Sequence, residues 1–260
     1  MSDARAAVLL GAAFAAALVL FRGWPGIDLA VSALFRDPAT GTWVGGSPAA
    51  EALREALWKA TELAAAIFAL ALLLALVRRE RAAVPARVWG FGFAALALGP
   101  GLLVNGILKA QWHRPRPRTV ADFGGEADFT PAWQVAGDCA RNCSFVSGEA
   151  AAILTLALVL WLIAGRRLAG AGRLVAAGGL VAAVLVTSGL RLASGGHFLS
   201  DVVFAWLLCA TVTLALWRLS GADRAAALLT PAALRADIVA PFAAVGRAIR
   251  GLLSNRPGPK

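Results

Sequence analysis

Six stretches of the chain carry apolar residues in near-continuous runs: Ala6–Phe21, Ala60–Val77, Val88–Leu108, Glu149–Ala164, Leu174–Leu190 and Val202–Trp217. A bilayer core of ~30 Å takes about 20 helical residues, with ~17 as a lower limit. The runs therefore predict an all-α, polytopic membrane protein built as a six-transmembrane-helix bundle, with less apolar neighbours completing the shorter spans. Gly99-Pro100-Gly101 interrupts the third run and predicts a kink that neighbouring helices must accommodate. The first run is as rich in alanine as a secretory leader. Arg22-Gly-Trp-Pro follows where a small-residue cleavage site would stand, so the run is read as a retained span.

Composition agrees with this pattern. Of the 260 residues, 59% are hydrophobic, and the mean hydropathy is +0.72. Soluble domains are nearer ~45–50% apolar. The net charge of +10 comes mostly from arginine. In a soluble protein that excess raises nucleic acid as a partner; here the arginines lie between spans and point to topology and phosphate binding instead.

Arg78, Arg79, Arg81 and Arg87 lie between spans two and three, and Arg166, Arg167 and Arg173 between spans four and five. The positive-inside rule makes those loops cytoplasmic and puts both termini on the same side. The opposite side of the membrane then receives residues 22–59, 109–148 and 191–201, which in a bacterial inner membrane is the periplasmic side. The second of these segments is also basic, with Arg114, Arg116 and Arg118, so those charges need a separate explanation. Trp58, Trp112 and Trp217 lie near span ends and read as interfacial aromatics. Residues 1–220 form the membrane domain, and residues 221–260 a cytoplasmic C-terminal segment. Within it Ala232–Leu253 mixes apolar residues with Arg235, Arg247 and Arg250 around Pro241, as a helix lying on the inner leaflet does. Asn255–Lys260 reads as a disordered tail.

Three polar clusters fall on the predicted periplasmic ends. Lys109 ends span three, with Arg116-Pro117 after it. Ser147-Gly148-Glu149 opens span four. Arg191 ends span five, His197 follows six residues later, and Asp201 opens span six. Each alone reads as a snorkelling anchor or a helix cap. Together they make a site: three cations, two with planar forks suited to phosphate oxygens, beside a helix start whose dipole favours an anion. His197 and Asp201 are four apart, a spacing that on a helical turn puts the carboxylate against the imidazole. A phosphate held beside an oriented imidazole points to phosphoryl transfer through a phosphohistidine.

These residues resemble the membrane-bound type 2 phosphatidic acid phosphatases over roughly Ala60 to Trp217. "KAQWHRPRP" matches the family's first motif (Lys, six residues, Arg-Pro) with Lys109, Arg116 and Pro117. "RLASGGHFLSD" supplies the third (Arg, five residues, His, three residues, Asp) with Arg191, His197 and Asp201. The second motif is normally Pro-Ser-Gly-His, and here the stretch reads Val146-Ser147-Gly148-Glu149. The resemblance implies that Lys109, Arg116, Arg191, Ser147 and Gly148 hold the phosphate, that His197 attacks phosphorus, and that Asp201 orients His197. It also implies no metal and no other cofactor. The family's second-motif histidine protonates the leaving group. Either Glu149, which takes its place, or His113 of the first-motif loop is the acid in this chain.

Cys139 and Cys143 either pair and stiffen the loop before Ser147, as an oxidising periplasm permits, or remain two free thiols. The leading expectation is a lipid phosphatase acting at the periplasmic face on lipid A, undecaprenyl pyrophosphate or phosphatidylglycerophosphate. The flanks of its Ser-Gly-Glu resemble lipid A phosphatase-like members. The same motifs also serve a lipid-to-lipid phosphotransferase or a lipid-phosphate-binding pseudoenzyme. The partners expected are a phosphorylated membrane lipid and the bilayer, with no nucleic acid and no obligate protein partner. A transporter fits less well, because the ionisable residues gather at one membrane face rather than at mid-bilayer.

Overall fold

Each apolar run becomes a helix whose ends are set by the polar residues around it. The computed structural model describes residues 3–79, 82–137, 139–140, 142–237 and 239. Helix α1 (Asp3–Gly23) is followed by a short α2 (Gly26–Ala33), then α3 (Pro48–Arg78) and α4 (Ala86–Gln111). Next come α5 (Gly148–Ala164), α6 (Gly170–Ala193), α7 (Leu199–Leu219) and the four-residue α8 (Ala222–Ala225). Among the described residues, α1, α3, α4, α6 and α7 are long and apolar enough to cross a membrane, and α5 is a shorter apolar helix.

The 17 residues of α5 rise about 25 Å, short of a full bilayer core. They are also the residues that the other helices surround. Helix α5 packs against α3, α4, α6 and α7, and Ala150, Ala151, Thr155 and Val159 are fully buried. A helix that is apolar all round and screened by its neighbours has little need to match the lipid thickness.

Two spans differ from expectation in instructive ways. Helix α3 starts at Pro48, three turns before the apolar run, because local capping favours it. The Ser47 hydroxyl accepts the Ala50 amide at 3.3 Å, proline holds the first position, and Glu51 sits in the first turn. The extension carries Glu51, Arg54 and Glu55 towards the loops. In α4 the predicted kink takes the form of a π-helical stretch, Ala97–Leu108, around Pro100, and Asn105 donates its side-chain amide to the Pro100 carbonyl at 2.8 Å.

The core has two centres. At one end Phe91 packs edge-on against Trp217, ring centroids 4.9 Å apart, with Phe68, Val88 and Val159 around them. Trp217 is only 1% exposed, so it is a core residue and not an interfacial anchor: Ala222 and Ala226, just after α7, join the same cluster. At the other end Phe21, Val104, Phe145, Ala151 and Phe204 meet. Chain alternation puts Arg78, Arg79, Arg87, Arg167 and Arg173 at the first end and the loops of residues 24–47, 112–147 and 194–198 at the second. Asp237 docks the start of the C-terminal segment by accepting the Ala83 and Val84 amides at 2.9 and 2.8 Å and pairing with Arg78 at 2.8 Å. The rest of the expected surface helix, and the Asn255–Lys260 tail, lie outside the described residues.

The loop before α3 is wedged against the end of α6. Gly45 lies so close that a Cβ there would stand 2.6 Å from the Ser194 backbone nitrogen, which cannot swing away. Gly45→Ala is expected to lower stability by about 1–3 kcal/mol through overpacking, read as a lower thermal midpoint in detergent.

Candidate active site

The turn that ends α6 places the two central residues. The Arg191 carbonyl accepts the amides of Gly196 at 3.1 Å and His197 at 3.2 Å. Gly195 is left-handed (φ +60°), and a Cβ there would meet the Trp43 ring at 2.5 Å. At Gly196 a Cβ would meet the Arg191 guanidinium at the same distance. Two glycines thus let the chain turn while Arg191 folds back over it.

His197 is 1% exposed, and its Nδ1 lies 2.7 Å from the Ser144 carbonyl oxygen. A carbonyl only accepts, so the neutral ring carries its proton on Nδ1 and keeps a lone pair on Nε2. Burial pushes the imidazole down to about 3, with Arg191 and Lys109 adding to the effect against the pull of Asp201. That shift favours the neutral ring at neutral pH.

Asp201 lies beside the imidazole, as the four-residue spacing suggested, but beyond direct hydrogen-bond distance. Its Oδ2 lies 3.8 Å from His197 Nδ1. Helix α7 begins only at Leu199, so His197 precedes the helix and the i,i+4 geometry does not apply. Asp201 Oδ2 instead accepts the Phe198 amide at 2.8 Å and the Ser144 hydroxyl, and Oδ1 pairs with Arg114 Nη1 at 2.6 Å. Ser144 thus touches the carboxylate with its hydroxyl and the imidazole with its carbonyl.

Arg114 is fully buried. Besides Asp201 it pairs with Asp28 of α2 at 2.8 Å, donates to Ser200 Oγ at 2.9 Å and to the Thr130 carbonyl at 2.8 Å, and lies over the Phe198 ring. One basic residue of the outer loop is thereby accounted for as structure, and Arg116 as part of the site.

Lys109, Arg116 and Arg191 converge beside His197. A Cβ on Gly148 would sit 3.3 Å from Lys109 Nζ and 2.8 Å from Asn105 Oδ1, so the glycine leaves the gap into which the lysine reaches. Among the described residues no carboxylate pairs with Lys109 or Arg116. Arg116 is steered by Asn142, whose backbone carbonyl accepts from it at 2.7 and 3.0 Å and whose side chain accepts at 2.9 Å. Burial, then Arg191 and Arg118, push its guanidinium down to about 10, which still leaves it a cation. The Arg191 Nε is buried without a partner. Ser147 is buried at the start of α5, its hydroxyl facing the Ala150 amide at 3.5 Å and its own amide donating to the Asp201 carbonyl at 3.1 Å. The positive end of the α5 dipole therefore adds to the three cations.

Glu149 has one engaged oxygen. Oε1 accepts from Arg54 of α3 at 2.8 Å and lies 3.5 Å from Arg191 Nη1, while Oε2 is buried without a partner among the described residues. Arg54 is itself held by Glu51, whose Oε2 accepts from its Nε at 2.9 Å. His113 directs Nδ1 to the Cys139 carbonyl at 2.8 Å, and Cys139 and Cys143 are joined as a disulfide.

Residues 88–225, just over half of the chain, match the PAP2 superfamily. The chain belongs to that superfamily. A lipid A 4'-phosphatase of Rhizobium etli is 36% identical over 220 residues, covering 79% of this chain and 83% of that protein. One of Rhizobium leguminosarum is 36% identical over the same length, covering 92% of its own chain. One of Francisella tularensis subsp. novicida is 38% identical over 112 residues, 42% of this chain and 47% of that protein. No solved structure matches significantly.

The PAP2 match holds every residue singled out in the motifs but neither Asp28 nor Arg54. Sequence reasoning passed over both, along with Ser144 and Asn105. Arg114 did leave a signal, as a cation in a loop that the positive-inside rule expects to be poor in them. Arg54, flanked by Glu51 and Glu55, carries the pattern of a solvated helix face. With His113 replaced by glutamine, imidazole nitrogen NMR is expected to show His197 as the neutral Nδ1–H form from about pH 8 to about pH 5; a protonated ring near pH 6 contradicts this.

Proposed function

We propose that this membrane lipid phosphatase of the PAP2 type removes a phosphate from lipid A, at a sugar position such as the 4' group, through a phosphohistidine on His197. The observation that carries the reading is a buried imidazole whose Nδ1 is taken by the Ser144 carbonyl, near Lys109, Arg116 and Arg191, of which Lys109 and Arg116 have no carboxylate partner among the described residues. Such an arrangement is unfavourable until an anion fills it, and a phosphate dianion supplies the missing charge.

Lys109, Arg116 and Arg191 bind the non-bridging oxygens, with Ser147 and the start of α5 beside them. Nε2 attacks phosphorus as the bond to the sugar oxygen breaks, and these donors stabilise the charge that spreads over the equatorial oxygens. The Nδ1 proton stays on the ring against the Ser144 carbonyl, and Asp201 offsets the positive charge the ring acquires. The leaving oxygen takes a proton from Glu149, on Oε2, the carboxyl oxygen that Arg54 leaves free. Water then attacks the phosphohistidine, returns a proton to Glu149 and releases inorganic phosphate and neutral His197. No step calls for a metal.

The lipid A assignment rests on the relatives, lipid A 4'-phosphatases 36% identical over most of the chain. The periplasmic placement of the site rests on the arginines at the opposite helix ends. The Cys139–Cys143 disulfide is of the kind that persists in an oxidising compartment.

Phosphate release from lipid A, undecaprenyl pyrophosphate and phosphatidylglycerophosphate tests the substrate, with lipid A expected to be fastest and His197→Ala inactive on all three. Glu149→Gln is expected to lower kcat by about 10²–10⁴, the worth of a general acid, while His113→Ala leaves it within about twofold. The reverse order assigns the acid to His113.

A further inference from the structure

We infer that Asp28, on the short helix α2, is a positioning residue for the reaction: by taking the far side of Arg114 it leaves Asp201 with charge to present to His197. The inference rests on the proposed nucleophile, but its own ground is the buried chain Asp28–Arg114–Asp201.

Arg114 lies between two carboxylates. Its Nη2 is 2.8 Å from Asp28 Oδ2, and its Nη1 is 2.6 Å from Asp201 Oδ1. Ser200 ties the pair together, its amide donating to Asp28 Oδ1 at 2.8 Å and its hydroxyl contacting Asp28 Oδ2 and Arg114 Nη1. Arg114, Ser200 and Asp201 are fully buried, and Asp28 is 1% exposed, so water screens little of this charge.

The count of charges decides what Asp201 can do. Arg114 stands closer to Asp201 than His197 does, at 2.6 Å against 3.8 Å. Alone it would cancel the carboxylate on which the positive ring of a phosphohistidine depends. Asp28 adds a second negative charge to the same guanidinium, so the group of three carries one net negative charge. That charge lies beside Ser144 and Nδ1, opposite the atom that attacks phosphorus.

Geometry supports the same role. Asp28 Oδ1 receives the amide of Ser200, in the first turn of α7, and Asp201 Oδ2 that of Phe198, the residue before the helix, so the two acids together set where α7 begins. Asp28 lies outside residues 88–225, so the superfamily match does not contain this part of the site.

The test is a charge cycle on the full-length protein in detergent, using the lipid from which the wild type releases phosphate fastest. The net charge of the group is −1 in the wild type, 0 in Asp28→Asn, −2 in Arg114→Gln and −1 again in Asp28→Asn/Arg114→Gln. Asp28→Asn is expected to lower kcat about tenfold to a hundredfold, the scale of one unit charge several ångströms away, with KM within about twofold because the phosphate cations are untouched. The double variant is expected to recover at least about tenfold over Asp28→Asn, a rescue that damage to packing alone does not produce. Asp28→Glu, which keeps the charge, is expected to stay within about tenfold of wild type.

A double variant no better than Asp28→Asn, or an Asp28→Asn kcat within about twofold of wild type, overturns the inference. Should Asp28→Asn not fold, Asp28→Glu and the double variant carry the test, and a hundredfold loss in either as folded protein overturns it. Failure of all three to fold makes Asp28 a folding residue and overturns it too. An active His197→Ala defeats the proposed mechanism instead, whatever Asp28 does.

Discussion

A guanidinium cannot be buried without acceptors on every side, and Arg114 is the point where that demand organises the molecule. Its partners come from α2, from the loop before α5, and from the first turn of α7. Satisfying one buried cation therefore pins three separate stretches of chain at one end of the bundle. Ser144 extends the arrangement to His197, so the imidazole takes its tautomer from a scaffold whose centre is an arginine. The wedge of Gly45 and Trp43 against the α6–α7 turn closes it from outside.

The second constraint is an imbalance of charge. Carboxylates near the site are already engaged: Asp201 by Arg114, and Glu149 by Arg54 and Arg191. Arg116 is left with the carbonyl and side chain of Asn142, and Lys109 has no carboxylate partner among the described residues. Burial first, and then the field of Arg191 and Lys109, disfavour a proton on His197, and the same field makes an anion the natural occupant. Glycine at positions 148 and 196 matters because it lets Lys109 and Arg191 approach backbone that any side chain would block.

Much of this was legible in the sequence. Bilayer thickness dictates run length, so the apolar helices could be picked out and an irregularity expected at Pro100, though not its π-helical form. Lysine, arginine and histidine at fixed offsets from span ends identified the family on two motifs and part of a third. Trp217 was misread because a tryptophan at a span end looks the same whether lipid headgroups or a following turn covers it. The start of α3 was misread because Glu51, Arg54, Glu55 and Lys59 break the apolar run, although Ser47-Pro48 announces a helix start.

The sequence by itself determined which residues gather at the membrane face, because helices of fixed rise in alternating directions leave their ends nowhere else to go. Tertiary structure alone decided how those residues pair. Asp201 came closer to Arg114 than to His197, at 2.6 Å against 3.8 Å, Glu149 received Arg54 from a helix 95 positions away, and Asp28 reached Arg114 from outside the family's matched region. A charge takes whichever opposite partner the packing brings within about 3–4 Å, and no spacing along the chain encodes that distance between different helices.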